Sequence, residues 1–397
     1  MPIIEKILEE LKALSQEEKQ RVLPLFFKTG PGQYGHGDRF LGVPVPLVRK
    51  VAARHPNVDF SVLQGLLQSS WHEMRLCALI IMVAQSRKGD AEKRKELHTF
   101  YLNNTQRVNN WDLVDLSAPQ LVGQYLVDKP RHLLYRLARS PLLWNNRIAM
   151  VATMALIKRG QTEDTFKLAT LLMHHPHDLM HKATGWMLRE AGKKDPQQLY
   201  IFVVENKLVM PRTTLRYAIE KFNPQTRKTM MKKKTNILFV CLGNICRSPL
   251  AQAVMQKMVD DNHLQDRFYI DSAGIGRWHE GQPADSRMRK HAARHGYILT
   301  HRARQIRPET DFNQFDLIFT MDKDNFRAVT ALAPDEQSRL KVVPMSRYFS
   351  PGTKETCVPD PYYGGDEDFE RAIALVENAC YNVFQKMDPC KDKEQPF

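Results

Sequence analysis

An all-α helical solenoid followed by an α/β domain with a doubly wound parallel sheet is the architecture this 397-residue chain predicts. Three observations predict it. Through residue 225 apolar residues recur at helical spacing with almost no strand-like alternation. A basic-then-apolar helical pattern repeats along that half. Beyond it, the apolar run Asn236-Ile237-Leu238-Phe239-Val240 reads as a strand buried on both faces, followed by a tight loop and a helix. The expected division is a repeat domain at 1–225, a basic linker at 226–235 and an α/β domain at 236–390.

Pro24, Pro31, Pro44, Pro46, Pro56, Pro119, Pro130, Pro141, Pro176, Pro196 and Pro211 punctuate the first half into many short helices. Arg75-Leu76-Cys77-Ala78, Arg147-Ile148-Ala149-Met150, Lys182-Ala183-Thr184-Gly185-Trp186 and Arg216-Tyr217-Ala218-Ile219 share one pattern, a basic residue leading small and apolar ones. Trp111–Asp115 falls in the gap between the first two. Steps of roughly 32 to 40 residues suit a two-helix solenoid unit, whose stacking makes a concave face. A basic residue recurring at one repeat position would line that face and follow a nucleic-acid backbone.

Charge points the same way. The chain carries a formal +14, and residues 1–230 hold 34 Lys+Arg against 21 Asp+Glu. The remaining residues are close to neutral, with 24 against 23. The positive field belongs to the repeat half, where a polyanion partner is expected.

This half, about residues 5 to 225, resembles the HEAT-like-repeat DNA alkylation-repair glycosylases. The resemblance rests on FLGVPVPLVRK (Phe40–Lys50), NWDLVD (Asn110–Asp115), LWNNRIA (Leu143–Ala149) and KATGWMLRE (Lys182–Glu190). It implies excision of cationic N3- and N7-alkylated purines from double-stranded DNA without extruding the base. Such a purine leaves without protonation, so the enzyme need mainly stabilise positive charge developing on the sugar. Asp115 would do so, or orient the water. Trp111 and Trp186 would present ring faces to the cationic sugar. Arg147 would hold the adjacent phosphate, with Lys182 a further DNA contact. Read without the resemblance, the two tryptophans are core residues and Asp115 an ordinary helix carboxylate. A tyrosine that contacts the nucleotide in the family has only Tyr34, in the Gly-rich Gly32-Gln33-Tyr34-Gly35, as a candidate.

The stretch from Asn223 to Thr235 is polar and basic, with no core pattern. Met231-Lys232-Lys233-Lys234-Thr235 before a strand reads like the start of a free-standing protein, so two once-separate chains are expected to be fused here.

Cys241-Leu242-Gly243-Asn244-Ile245-Cys246-Arg247-Ser248 follows the strand and precedes a helix with Pro249 in its first turn. Free backbone N–H groups at such a junction make an anion site. The same amides would stabilise a Cys241 thiolate. Arg247 can close the loop with a fork that matches phosphate. Asp360, on a turn near the C-terminal end, can protonate a leaving oxygen. Residues 235 to 388 resemble the low-molecular-weight protein tyrosine phosphatases, through ILFVCLGNICRSP, DSAG (Asp271–Gly274), HRARQI (His301–Ile306), FTMD (Phe319–Asp322) and DPYYGG (Asp360–Gly365) in that order. The resemblance implies Cys241 as nucleophile, Arg247 as phosphate clamp and Asp360 as acid, then base. It implies Ser248 on the thiolate, and Asn244 and His301 supporting the loop. Tyr362 and Tyr363 would flank the mouth, and Trp278, in the segment of the opposite wall, would either set specificity or simply pack. Cys246 either fills the loop or, as in the family, pairs reversibly with Cys241 under peroxide.

Phosphotyrosine proteins are the expected substrate. Arginine phosphatases of this scaffold usually carry Thr where Ile245 stands, and thioredoxin-linked arsenate reductases need a resolving pair that Cys357, Cys380 and Cys390 do not match. A further reading keeps the solenoid as a DNA- or protein-binding module that delivers the phosphatase. Neither half calls for a cofactor or a metal. No run approaches the roughly 18 apolar residues of a membrane span, and Met1-Pro2-Ile3-Ile4-Glu5-Lys6 does not read as a signal peptide. Six cysteines, two in a reactive loop, suit a reducing cytoplasm. The sequence leaves the oligomeric state open.

Overall fold

A computed structural model of the chain describes residues 2–387, so Cys390 and the last residues of the expected second domain lie outside it. The described chain divides into two compact units. One comprises residues 1–194 and 211–218, the other residues 195–210 and those from 219 onward.

The first unit is helical. Asp59, Asp90 and Asn110 cap their helices by accepting from Val62, Lys93 and Trp111 backbone N–H groups. Helices His72–Lys88 and Leu143–Lys158 are buried on most of their surface, polar residues such as His72, Glu73, Arg75 and Arg147 included. Helix Trp111–Ala118 packs between them and runs into a π-turn at Pro119–Gly123. Helices Asp178–Gly192 and Arg212–Ala218 approach closely at Gly185. A Cβ there would lie 2.5 Å from Tyr217 Cβ and 2.6 Å from Thr214 O, so only glycine admits the crossing.

The second unit has a parallel sheet of β1 (Thr235–Cys241), β2 (Phe268–Gly274), β3 (Leu317–Thr320) and β4 (Val342–Pro344), in the order β2-β1-β3-β4. Leu238, Val240, Ile318 and Val342 meet Phe312, Phe315 and Val329 on one face. The alternate residues Phe239 and Phe319 stack at 5.5 Å on the other. Both faces are thus covered, which is why β1 reads as an unbroken apolar run. The chain leaves β1 first to one side and then to the other. The carboxyl end of β1, at Cys241, is therefore the switch point of the sheet.

Helix Pro196–Asn206 belongs to this second unit. Tyr200 Oη donates to Asp316 O at 2.8 Å, and Tyr348 Oη donates to Glu205 at 2.8 Å. Lys207 Nζ pairs with Asp316 at 3.0 Å, both side chains buried, and also donates to Lys234 O. The stretch read as a linker contains a helix, Pro224–Met230, capped by Asn223 and burying Met230.

Candidate functional site

In the second unit, β1 delivers Cys241 to the mouth of the loop 242–246, and helix Arg247–Asp261 begins at its far end. Cys241 Sγ receives the Asn244 backbone N–H at 3.3 Å and lies 3.0 Å from Ser248 Oγ. Asn244 adopts φ +56°, the left-handed conformation that turns the loop's amides inward. Its side chain holds that turn. Nδ2 donates to Ser248 Oγ and Ser272 Oγ, each at 2.9 Å, and Oδ1 accepts from Arg304 N. His301 Nε2 donates to Asn244 O at 2.9 Å. Burial lowers the His301 pKa and favours the neutral ring, while the bond to Asn244 O acts in the opposite sense.

Arg247 is buried, and its guanidinium spans two carboxylates. Nη1 donates to Asp322 at 2.6 Å and Nη2 to Asp360 at 2.5 Å. Burial opposes its charge, but Cys241, Asp360 and Asp322 together raise its pKa. A cavity of about 320 Å³ opens above Cys241, lined also by Asp360, Trp278, His279, Tyr362 and Tyr363. Trp278 folds back over Gly276, where any Cβ would strike the indole. Tyr363 and Trp278 are largely exposed, and Tyr362 meets Tyr363 edge-on at 4.9 Å. Arg287 Nη2 donates to Tyr362 O at 2.9 Å. Cys246, the last residue of the loop, is a buried free thiol, its pKa raised by burial and then by nearby negative charge.

Cys241, the loop, Arg247 and Asp360 thus meet in one pocket, with Asn244, Ser248 and His301 behind them. Sequence reasoning passed over Asp322, His279 and Arg287. Asp322 ends the FTMD block just beyond β3, at the same carboxyl end of the sheet as Cys241, and that placement was its signal.

In the first unit, Asp115 lies on helix Trp111–Ala118 and forks with Arg147 of helix Leu143–Lys158. Both bonds, from Nε and Nη2, are 2.9 Å. Arg147 Nη1 donates to Leu179 O. Arg147 is buried and its donors face Asp115 and Leu179, so the geometry makes it the partner of the carboxylate rather than an open phosphate contact. Burial raises the Asp115 pKa, Arg147 opposes the rise, and Asp112 adds to it. Tyr34 reaches the same place. It hydrogen-bonds Trp111, feels the charge of Lys182 and Arg147, and meets the Trp144 and His177 rings edge-on. Lys182 is half exposed beside Asp178, and Trp186 sits one turn further on the same helix face. Trp111 stacks on Phe27 at 5.4 Å. Arg75, expected on the concave face, is instead buried against Asp38 at 2.7 Å. Its repeat position points inward because Asp38 and Ser69 O offer it interior partners.

Among the described residues no group of His, Cys, Asp and Glu is arranged to hold a metal, and no helix is long and apolar enough to cross a membrane.

Comparison with known proteins divides the chain in the same sense. The family described as DNA alkylation repair enzyme matches residues 7–222. The family described as low molecular weight phosphotyrosine protein phosphatase matches residues 236–393. A low molecular weight protein-tyrosine-phosphatase of Streptomyces coelicolor is 44% identical over 36% of this chain and 87% of its own. The low molecular weight phosphotyrosine protein phosphatase of Schizosaccharomyces pombe is 44% identical over 37% of this chain and 94% of its own. The crystal structure of a protein tyrosine phosphatase from Entamoeba histolytica is 46% identical over 38% of this chain and 95% of its own, with a TM-score of 0.37. The chain therefore belongs to two families at once, the DNA alkylation repair enzymes through its first part and the low molecular weight phosphotyrosine protein phosphatases through its last.

Proposed function

We propose that the second unit hydrolyses phosphotyrosine in proteins through a cysteinyl-phosphate. The observation that carries this reading is the convergence of Cys241, the 242–246 amides, Arg247 and Asp360 on one cavity. Cys241 Sγ attacks phosphorus while the aryl P–O bond breaks, and Asp360 gives its proton to the leaving phenolate. Asp360 then takes a proton from water, whose oxygen attacks phosphorus and expels the Sγ thiolate. Arg247 and the loop amides hold the phosphoryl oxygens throughout. Tyr362, Tyr363 and Trp278 at the mouth favour a flat aryl group over an alkyl one. Cys246, next to the nucleophile, serves as its reversible disulfide partner under peroxide.

The first unit, read as a HEAT-like solenoid, removes cationic N3- and N7-alkylated purines from duplex DNA. What supports this is the Asp115–Arg147 pair beside Trp111, Tyr34 and Lys182. The lesion's own charge weakens its N-glycosidic bond. As the bond breaks, the purine takes the electron pair and leaves neutral, and Asp115 stabilises the sugar cation and orients the water that adds to it, whose extra proton passes to solvent. Lys182 and Trp186 bind the nucleotide's flanks, and Arg147 holds Asp115 on target. A reducing cytoplasmic setting suits the free thiols.

Kinetics on aryl phosphates test the phosphatase reading. Cys241→Ser is expected to abolish turnover. Asp360→Asn is expected to slow it by about 10² to 10⁴-fold, most for poor leaving groups. Turnover surviving in Cys241→Ser contradicts the reading.

A further inference from the structure

Beneath Trp111 lies a buried charged cluster that neither reaction uses. His72 opens helix His72–Lys88 and is itself buried. Its Nε2 lies 2.8 Å from Asp112 Oδ2, and its Nδ1 lies 3.5 Å from Asp38 Oδ2. Two carboxylate partners on the two ring nitrogens call for the doubly protonated ring. The ring stacks on Phe40 at 4.7 Å and leans on Phe27 at 5.0 Å, and Phe27 in turn stacks on Trp111. Asp38 also receives Arg75 and Asn109, and Arg107 stands behind Arg75. Burial disfavours the His72 charge, yet Asp112 and the bonds to Asp112 and Asp38 carry its pKa up to about 9.

Asp112 and Asp115 are three residues apart on one short helix. The second oxygen of Asp112, Oδ1, is buried without a hydrogen-bond partner, so the bond from His72 is what satisfies this carboxylate. The charged groups facing Asp115 are Arg147 and Asp112, with the Tyr101 hydroxyl nearby.

We propose that His72 is a positioning residue of the excision site: it neutralises Asp112, so that Asp115 stays ionised. The inference rests on the glycosylase reading of Asp115. Without the imidazolium, Asp112 becomes an uncompensated like charge beside Asp115 and disfavours the Asp115 anion. Replacing Asp112 by Asn in the same protein removes that charge. A purely structural role for His72 makes no such provision for rescue.

The test uses the full chain and methylated duplex DNA, with single-turnover release of N7-methylguanine followed against pH. In His72→Gln, which keeps a donor and loses the charge, the acid limb is expected to move up by about one pH unit. DNA affinity should change by no more than about twofold, while the rate at neutral pH falls. In His72→Gln with Asp112→Asn the limb is expected to return to the wild-type position. Coincident limbs in wild type and His72→Gln overturn the proposal, and so does a double variant that stays with the single one. Carboxyl NMR titration of Asp115 gives the same answer without turnover. In His72→Gln the Asp115 pKa should rise, adding Asp112→Asn to that variant should bring it back down, and an Asp115 unmoved by both changes is a second refutation. If wild type releases no methylated base, the glycosylase reading fails, and the titration still decides the electrostatic claim.

Discussion

Two residues decide how the phosphatase pocket is held. Asn244 takes a left-handed turn that only its web of hydrogen bonds to Ser248, Ser272, Arg304 and His301 makes affordable for a side chain with a Cβ. Arg247 divides its fork between Asp360 and Asp322. On the proposed reading a phosphate entering the loop takes up the donor that Asp360 now receives, while Asp322 holds the other arm of the fork. Asp322→Asn is therefore expected to lower kcat/KM for an aryl phosphate about tenfold, the scale of one charge-assisted hydrogen bond. Steady-state kinetics against wild type check this, and an unchanged kcat/KM removes Asp322 from the site. Cys241, Arg247 and their loop were legible because strand, loop and helix start are one local signal. Asp322 and Asp360 pair with Arg247 across 75 and 113 residues, and nothing local announces either bond. The His72 cluster was illegible for the same reason, since Asp38 and Asp112 lie 34 and 40 residues away.

Among the elements, periodicity told helix from strand reliably but not which way a repeated side chain points. Arg75 and Arg147 hold equivalent places in the pattern with Lys182 and Arg216. The first two are buried in ion pairs, while Lys182 is half exposed and Arg216 exposed. A repeat period gives the helix and its face, but the local partner decides between interior and groove. One tight joint is the crossing of helices Asp178–Gly192 and Arg212–Ala218 at Gly185. Gly185→Val places methyl groups where Thr214 and Tyr217 already stand. It is expected to destabilise the first unit by about 2 kcal/mol, the usual cost of overpacking, and to disturb Lys182 and Trp186 on the same helix. Thermal unfolding with aryl-phosphate turnover as an internal control measures it. A wild-type unfolding temperature for the first unit would mean the helices are not held this closely.

For the molecule as a whole, charge and motif order made two families legible, and the match of residues 7–222 and 236–393 agrees. What sequence could not show is where each core ends. Helix Pro196–Asn206 lies within the first family's span, yet it packs with the phosphatase unit through Tyr200, Glu205 and the buried Lys207–Asp316 pair. No periodicity reveals that, because an amphipathic helix does not name the surface it covers. The central claim is that one chain carries two separate chemistries, a phosphatase and a glycosylase that acts through Asp115. Its most direct test is release of methylated purine from alkylated duplex DNA by the full chain, wild type and Asp115→Asn, with aryl-phosphate turnover measured in the same samples. The account predicts release by wild type, loss of about 10²-fold or more in Asp115→Asn, and equal phosphatase turnover in both. Binding of DNA without release of methylated purine at any enzyme excess would contradict it and leave the first unit a binding module.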